Sequence, residues 1–178
     1  MSRNNGKEIG LAVIGCGTIG RIRSEFAKNY PGVGWIGLCD IKEDLGRKLE
    51  KDVDADFFTT NAGELLARPE VTAAIIATDE NNHMEPILAA CDRSLDLFIE
   101  KPLATNALES DKVLKAIEAC DCDAVIGYTY RFRRRFLAVK EKLRTGQIGD
   151  VSSVVARAFM NRMVPIATVR RTNQRRTL

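Results

Sequence analysis

Histidine and long hydrophobic runs are scarce in this 178-residue sequence, which contains a single histidine. The apolar runs are short. The run at residues 72–78, for example, is only seven residues long, whereas a helix needs ~20 residues to cross a bilayer. We therefore expect no membrane partner. No apolar run of signal-peptide length precedes the first predicted strand, which favours a cytoplasmic protein. The composition, 45% hydrophobic and 29% charged, is typical of a globular protein and gives no indication of disorder.

Metal ligands are also few, and their spacing does not suggest a site. The cysteines are odd in number and lie mostly in or beside apolar runs, where a buried thiol packs well. They are Cys16, Cys39, Cys91, Cys120 and Cys122. Zinc usually takes four ligands at recurring spacings, and His83 is the one histidine that could join the C-x-C pair of Cys120 and Cys122. We expect neither a disulfide framework nor a metal site.

Charge is distributed unevenly along the chain. Residues 129–178 contain 13 Lys and Arg against two acids, a net charge of +11, whereas residues 1–128 carry −8. This asymmetry indicates an acidic-ligand or nucleic-acid surface, or a basic region that further chain covers. Most of the basic run at residues 131–135 is predicted to be a solvated helix face. Nucleic acid is the least favoured partner, because no aromatic-interleaved platform or recognition motif accompanies the charge.

Short apolar runs alternate with helix-like segments over the first 130 residues, a pattern typical of βαβ units around a parallel sheet. The runs are nearly continuous, as in strands that are buried on both faces. The predicted strands are Ile9–Ile14, Gly34–Cys39, Asp56–Phe58, Ala73–Ala77, Asp96–Ile99 and Ala124–Gly127. We therefore predict an α/β fold with a doubly wound parallel sheet of the Rossmann type in residues 1–130.

Three amphipathic segments are predicted to form helices. The segment Thr18–Asn29 has Ile19, Ile22 and Phe26 on its predicted buried face. The next, Ala107–Cys120, has an apolar stripe and a candidate cap at Asn106. Its stripe consists of Leu108, Val113, Leu114 and Ile117, and the third segment, Arg131–Arg144, has Phe132, Phe136, Val139 and Leu143 on its apolar side.

Residues 131–178 are predicted to begin a second domain without completing it. After Gly146 and Gly149, the segment Val151–Met160 is expected to be extended, and a polar, basic tail follows it. A lone strand exposes an edge that needs partners. We therefore interpret this region as a linker helix and the first strand of an incomplete, truncated α+β substrate domain.

The strongest local motif is GCGTIG, with Gly15, Gly17 and Gly20 between the first predicted strand and the first predicted helix. In that context the pattern predicts a dinucleotide-phosphate turn. Gly15 would permit the tight turn, Gly17 would let the backbone approach a pyrophosphate, and Gly20 would allow close helix packing. The helix N-terminus would supply unpaired N–H groups to the phosphates. A ligand-free glycine turn is the alternative.

An acid ends the second predicted strand. Asp40 lies twenty residues beyond Gly20, where a carboxylate normally binds the hydroxyls of an adenosine ribose. It would repel a 2′-phosphate, so NAD is the predicted cofactor, although the nearby Lys42 keeps NADP possible. A surface Asp that caps a loop is the alternative.

Three further motifs follow successive strands: ATDENNH at residues 77–83, EKP at 100–102 and GYTYRF at 127–132. Together with GCGTIG, they resemble the family of glucose-fructose oxidoreductase, inositol dehydrogenase and MocA over residues 9–160. The resemblance implies a two-domain, NAD(P)-dependent oxidoreductase that acts on CH–OH groups of sugars, inositols or related polyols. It also implies a possible homo-oligomer, because family members commonly pair through the second domain.

The resemblance also assigns residues. Lys101 would be the catalytic residue, since an ammonium beside the substrate oxygen stabilises developing alkoxide charge. His83 would position the cofactor segment rather than react. The expected cofactor-binding residues are Gly15, Gly17, Thr18, Ile19, Gly20, Asp40, Ile41, Ala77, Thr78, Asn81, His83, Glu100 and Lys101.

The family's acid–base histidine belongs to the second domain, and no histidine follows His83. Hydride transfer also needs a protein group that manages the alcohol proton. The sequence therefore favours the nucleotide-binding portion of a dehydrogenase. The alternative is a catalytically silent NAD-binding module with a sensing or partner-binding role.

Overall fold

A computed structural model of the chain describes residues 8–157 and 159. The chain divides into two compact units, Met1–Tyr130 and Arg131–Leu178. Throughout the described part of the chain, no helix combines the length and the apolar character that a bilayer span requires.

The described residues of the first unit, 8–130, form six parallel strands and five α-helices. The strands are β1 (Ile9–Ile14), β2 (Val33–Cys39), β3 (Phe57–Thr59), β4 (Ala73–Ile76), β5 (Asp96–Ile99) and β6 (Ala124–Ile126). The helices are α1 (Thr18–Lys28), α2 (Glu43–Val53), α3 (Ala62–Leu66), α4 (Met84–Cys91) and α5 (Ala107–Ala119). Every predicted strand is present, and the predicted ends differ from the observed ends by at most one residue.

The strand order is β3-β2-β1-β4-β5-β6, and every neighbouring pair is parallel. This is the order of a doubly wound dinucleotide-binding sheet, so the predicted fold class is confirmed. The chain leaves β1 toward β2 on one side and returns to β4 on the other side. Ligands of such sheets bind at this reversal, outside the carboxyl ends of the strands.

The core lies on both faces of the sheet, because successive side chains of a strand point to opposite faces. Ala12 and Ile14 pack into one cluster with buried residues of α3, α4 and α5. Leu11 and Val13 pack into the other cluster, with buried residues of α1 and α2. Burial on both faces explains why the strands are nearly continuous apolar runs.

The predicted buried face of α1 was wrong. The structure leaves Ile19, Ile22 and Phe26 exposed, and 74% of the surface of Phe26 is accessible to solvent. The buried residues are instead Gly20, Ser24 and Ala27. The helix packs so closely on the sheet that a Cβ on Gly20 would lie 1.7 Å from the Gly15 carbonyl oxygen. Only small side chains therefore fit on the side of the helix that faces the sheet.

The predicted stripe of α5 was only partly right. Val113 is fully buried and Ile117 packs against the core, but Leu108 and Leu114 are exposed. At 3.6 residues per turn, the inward stripe runs through Val113, Ala116 and Ile117, which excludes the two leucines. The Asn106 cap has the expected geometry, because its side chain accepts a hydrogen bond from the Glu109 N–H at 2.9 Å.

In the second unit, α6 (Arg134–Arg144) begins three residues later than predicted. A 3₁₀ turn, Thr129–Phe132, precedes it. The apolar side chains at 132, 136, 139 and 143 are exposed. The predicted extended segment Val151–Met160 forms no strand at residues 151–157 and 159, since none of these described residues pairs with another strand. Residues 158 and 160 and the basic tail lie outside the described residues.

Candidate functional site

The sequence motifs meet in one row along the carboxyl edge of the sheet. Strand register pairs Ile14 with both Cys39 and Ile76, and pairs Ile99 with Ile76 and Ile126. The residues that follow these strand ends are Asp40, Gly15, Ala77, Glu100 and Gly127 in spatial order. Neighbouring strands lie about 4.8 Å apart, so Asp40 and Glu100 are separated by three spacings, roughly 14 Å. The row crosses the reversal in strand order at β1 and β4.

A cleft of about 430 Å³ opens at this edge. Six of the predicted binding residues line it, namely Gly15, Gly17, Asp40, Ile41, Ala77 and Thr78. The other predicted binding residues do not line the cleft; they are Thr18, Ile19, Gly20, Asn81, His83, Glu100 and Lys101. Lys42, Thr60, Asn82 and Glu85 line the cleft without having been predicted. Asn82 lies in a 3₁₀ turn, Glu80–Asn82, which also contains Asn81.

The glycines of the turn have separate structural requirements. Gly15 adopts a φ of +98°, and a Cβ there would lie 2.5 Å from the Ala77 carbonyl oxygen. Such a conformation favours glycine strongly. Gly17 differs, because a Cβ there would meet nothing within 4 Å. The space above Gly17 is therefore open at the start of α1, where an approaching ligand would contact backbone.

The N-terminus of α1 has the features of an anion site. Among the described residues, no side chain caps this helix, and its first turn contains no acidic residue. The first N–H groups of a helix have no intrahelical partner and lie at the positive end of the helix dipole. A phosphate group in the open space beside Gly17 would find both features.

Asp40 is held in place by backbone N–H groups. Its Oδ2 accepts a hydrogen bond from the Cys16 N–H at 2.7 Å, and its Oδ1 accepts one from the Lys42 N–H at 2.8 Å. Each carboxylate oxygen can accept more than one hydrogen bond, so both keep capacity for a ligand hydroxyl. The carboxylate is thus fixed at the cleft wall before any ligand arrives.

Two buried thiols lie beneath this carboxylate. Burial, and to a smaller extent the charge of Asp40, together raise the pKa of Cys16 to about 12. The same two causes, again with burial the larger, raise the pKa of Cys39 to about 11. Both side chains are therefore neutral thiols at physiological pH, and they contribute packing rather than nucleophilic chemistry.

His83 is buried and links two loops. Its Nδ1 lies 2.7 Å from the Pro102 carbonyl oxygen, and its Nε2 lies 3.2 Å from the Thr78 carbonyl oxygen. A neutral imidazole donates one hydrogen bond, and the shorter contact favours Nδ1–H as the donor. His83 therefore connects the loop after β4 to the EKP segment.

Glu100 is also buried and has a partner that the motifs did not identify. The Arg23 Nε and Nη2 donate to Glu100 Oε1 at 2.9 and 2.5 Å. The Arg23 guanidinium also lies 4.7 Å from the centre of the Phe98 ring. Arg23 lies one helical turn after Gly20 on the first helix. This position is the one feature of the sequence that could have indicated a contact with Glu100. Lys101 follows Glu100 and is exposed.

Comparison with known proteins agrees with this fold. The profile of a family described as an oxidoreductase family with an NAD-binding Rossmann fold matches residues 9–128. An inositol 2-dehydrogenase of Gluconacetobacter diazotrophicus is 33% identical, over 88% of this chain and 48% of its own. A myo-inositol 2-dehydrogenase of Thermotoga maritima is 29% identical, over 78% and 42%.

Solved structures give the same result. The myo-inositol dehydrogenase of Lactobacillus casei, solved with NAD(H) and myo-inositol, is 26% identical with a TM-score of 0.75. The match covers 80% of this chain and 43% of that one. The chain thus spans less than half the length of these relatives. Since the family profile covers most of the chain, the protein belongs to the glucose-fructose oxidoreductase, inositol dehydrogenase and MocA family of oxidoreductases.

Proposed function

We propose that residues 9–130 bind NAD and serve a dehydrogenase that acts on a secondary alcohol of an inositol, sugar or related polyol. The observation that carries the proposal is the pairing of a fixed carboxylate, Asp40, with the open space above Gly17 at the same cleft. A dinucleotide needs both features, one for its ribose hydroxyls and one for its pyrophosphate.

Different residues of the cleft bind different parts of the dinucleotide. Asp40 accepts hydrogen bonds from the adenosine ribose, and Ile41 lies beside it at the cleft wall. The backbone at Gly15 and Gly17 and the start of α1 bind the pyrophosphate. Ala77 and Thr78 border the cleft on the β4 side, toward Glu100 and Lys101. His83 and Arg23 fix the segment that carries these last two residues.

When bound, NAD supplies the hydride acceptor. The protein's part is to bind the alcohol and stabilise charge on its oxygen. The ammonium of Lys101 donates a hydrogen bond to that oxygen and stabilises the developing alkoxide. Glu100, neutralised by Arg23, holds the backbone beside Lys101 in place. His83 is not placed to accept the alcohol proton, because it is buried and faces two carbonyl groups.

Cofactor choice provides the first test, by calorimetry on the 178-residue chain. We expect NAD to bind at least about tenfold more tightly than NADP, because Asp40 accepts from the ribose hydroxyls and repels a 2′-phosphate. Asp40→Asn keeps a hydrogen-bonding side chain without the charge, so it should reduce the preference. Equal or stronger NADP binding by the unchanged chain would contradict the assignment of Asp40.

The phosphate turn provides the second test. Gly17→Val should weaken binding of both NAD and NADP by more than about tenfold, because its side chain would fill the space assigned to the pyrophosphate.

Turnover is measured as NADH formation with a panel of inositols and sugars, and should be very low for this chain. Strong turnover that depends on Lys101 would show that no further proton acceptor is needed.

A further inference from the structure

Three cysteine side chains meet at the opposite edge of the sheet from the cleft. Cys91 is the last residue of α4, Cys120 directly follows α5, and Cys122 lies in the turn before β6. Their Sγ atoms all lie within 4.8 Å of one another. Cys91 is buried, and the other two are half-buried. Cys120 and Cys122 are joined by a disulfide bond, whereas Cys91 is a free thiol. We call these three residues the thiol cluster.

The fold builds this cluster from sequence-distant parts. Cys91 and Cys120 are brought together because α4 packs against α5 and both helices end at this edge. The turn that carries Cys122 is fixed by the Asp123 N–H, which donates to Asp96 Oδ1 at 2.9 Å. On the core side the surroundings are apolar, since Leu95 and Cys91 belong to one buried cluster and Ile117 and Ala124 pack against it, whereas the charge of Asp92 acts on Cys91. Counting ligands along the sequence missed Cys91.

We propose that the reduced thiol cluster binds one thiophilic metal ion, Zn²⁺ as the probe, and that the Cys120–Cys122 disulfide is the metal-free form. Three thiolates are soft ligands that favour Zn²⁺ or Cu⁺ over hard cations. With Zn–S bonds of about 2.3 Å, tetrahedral geometry separates the sulfurs by about 3.8 Å. Reduction leaves the Cys120 and Cys122 Sγ atoms free to separate to this distance, and the Cys91 Sγ, within 4.8 Å of both, has to approach by about 1 Å or less. Solvent supplies the fourth ligand.

The chemistry balances with one external reductant. A dithiol gives two electrons and two protons to the Cys120–Cys122 disulfide, which becomes two thiols while the dithiol becomes a disulfide. Binding of Zn²⁺ then releases the three thiol protons to solvent, because thiolates are the ligands. An external disulfide reverses the sequence: it accepts two electrons and two protons and becomes a dithiol, the Cys120–Cys122 bond forms again, Cys91 takes up one proton, and Zn²⁺ leaves because two of its three protein ligands are lost. The cluster would thereby couple metal occupancy to redox state, independently of the cofactor cleft.

The experiment is a Zn²⁺ titration of the whole chain against a chromophoric chelator. With a phosphine reductant present, we expect one Zn²⁺ per chain, and without it the disulfide form should bind none stoichiometrically. Cys91→Ser should weaken Zn²⁺ binding by at least about 100-fold. This loss is larger than the one expected when a residue that only hydrogen-bonds to a metal ligand is removed. Cys39→Ser is the matched control, because it removes a buried thiol outside the cluster and should leave Zn²⁺ binding unchanged.

Several results would overturn the proposal. They are no stoichiometric binding by the reduced chain, unchanged affinity in Cys91→Ser, or loss of binding in Cys39→Ser. Circular dichroism establishes that each variant is folded. If Cys91→Ser fails to fold, Cys122→Ser makes the same test, because its side chain lies in a turn and is only half-buried. Unchanged Zn²⁺ affinity in that variant would be equally decisive.

Discussion

The two ends of the carboxyl-edge row are built differently. At the β1 and β2 end, backbone does the positioning, because N–H groups hold Asp40 and close backbone contacts require Gly15 and Gly20. At the β5 end, side chains do it, since Arg23 holds Glu100 and His83 contacts the Pro102 carbonyl. The cleft opens at the first end, whereas Lys101 at the other end is exposed. The proposed nucleotide end therefore rests on backbone geometry, whereas the β5 end rests on a long-range side-chain contact between Arg23 and Glu100.

The largest effect is expected from a backbone clash at the nucleotide end. Gly20→Ala should lower the free energy of unfolding by about 3 kcal/mol or more, because its Cβ would overlap the Gly15 carbonyl oxygen at 1.7 Å. Gly17→Ala is the control, because its Cβ meets nothing within 4 Å and stability should change by less than about 1 kcal/mol. Denaturant unfolding measures both. Similar values for the two variants would remove the distinction between these glycines.

A smaller effect is expected at the β5 end. Arg23→Met should cost about 2 kcal/mol of unfolding free energy, because Glu100 is 8% exposed and would lose its charged partner. Adding Glu100→Gln to Arg23→Met should recover part of that loss, and the double-mutant cycle isolates the coupling. Additive losses in the cycle would show that the ion pair does not hold this segment.

The smallest effect concerns pH at the nucleotide end. Burial raises the pKa of Cys16 from 9.0 to about 12, so the folded state keeps a proton that the unfolded state loses. This contribution to stability is fully present below pH 9 and is lost as pH rises toward 12. The slope between these pH values is about 1.4 kcal/mol per pH unit, so the loss reaches about 1.4 kcal/mol at pH 10. Unfolding midpoints at pH 8 to 10 should fall more steeply for the unchanged chain than for Cys16→Ala, and parallel curves would contradict this account.

The sequence by itself determined the sheet and the motif positions. Short continuous apolar runs that alternate with helix-like segments indicate strands buried on both faces, and GCGTIG between a strand and a helix predicts the glycine turn that Gly15 adopts at a φ of +98°. Asp40 could be placed at the end of β2 because strand length and spacing are local properties of the chain.

Tertiary structure alone decided which helix faces are buried and which distant residues meet. Ile19, Ile22 and Phe26 satisfy the periodicity of a buried face, yet close packing at Gly20 turns the small side chains inward. Arg23 and Glu100 are 77 residues apart, and no local pattern records their contact. Cys91 joins Cys120 and Cys122 only because two helices end at the same edge. Periodicity describes one segment at a time, whereas these contacts depend on how segments pack against each other.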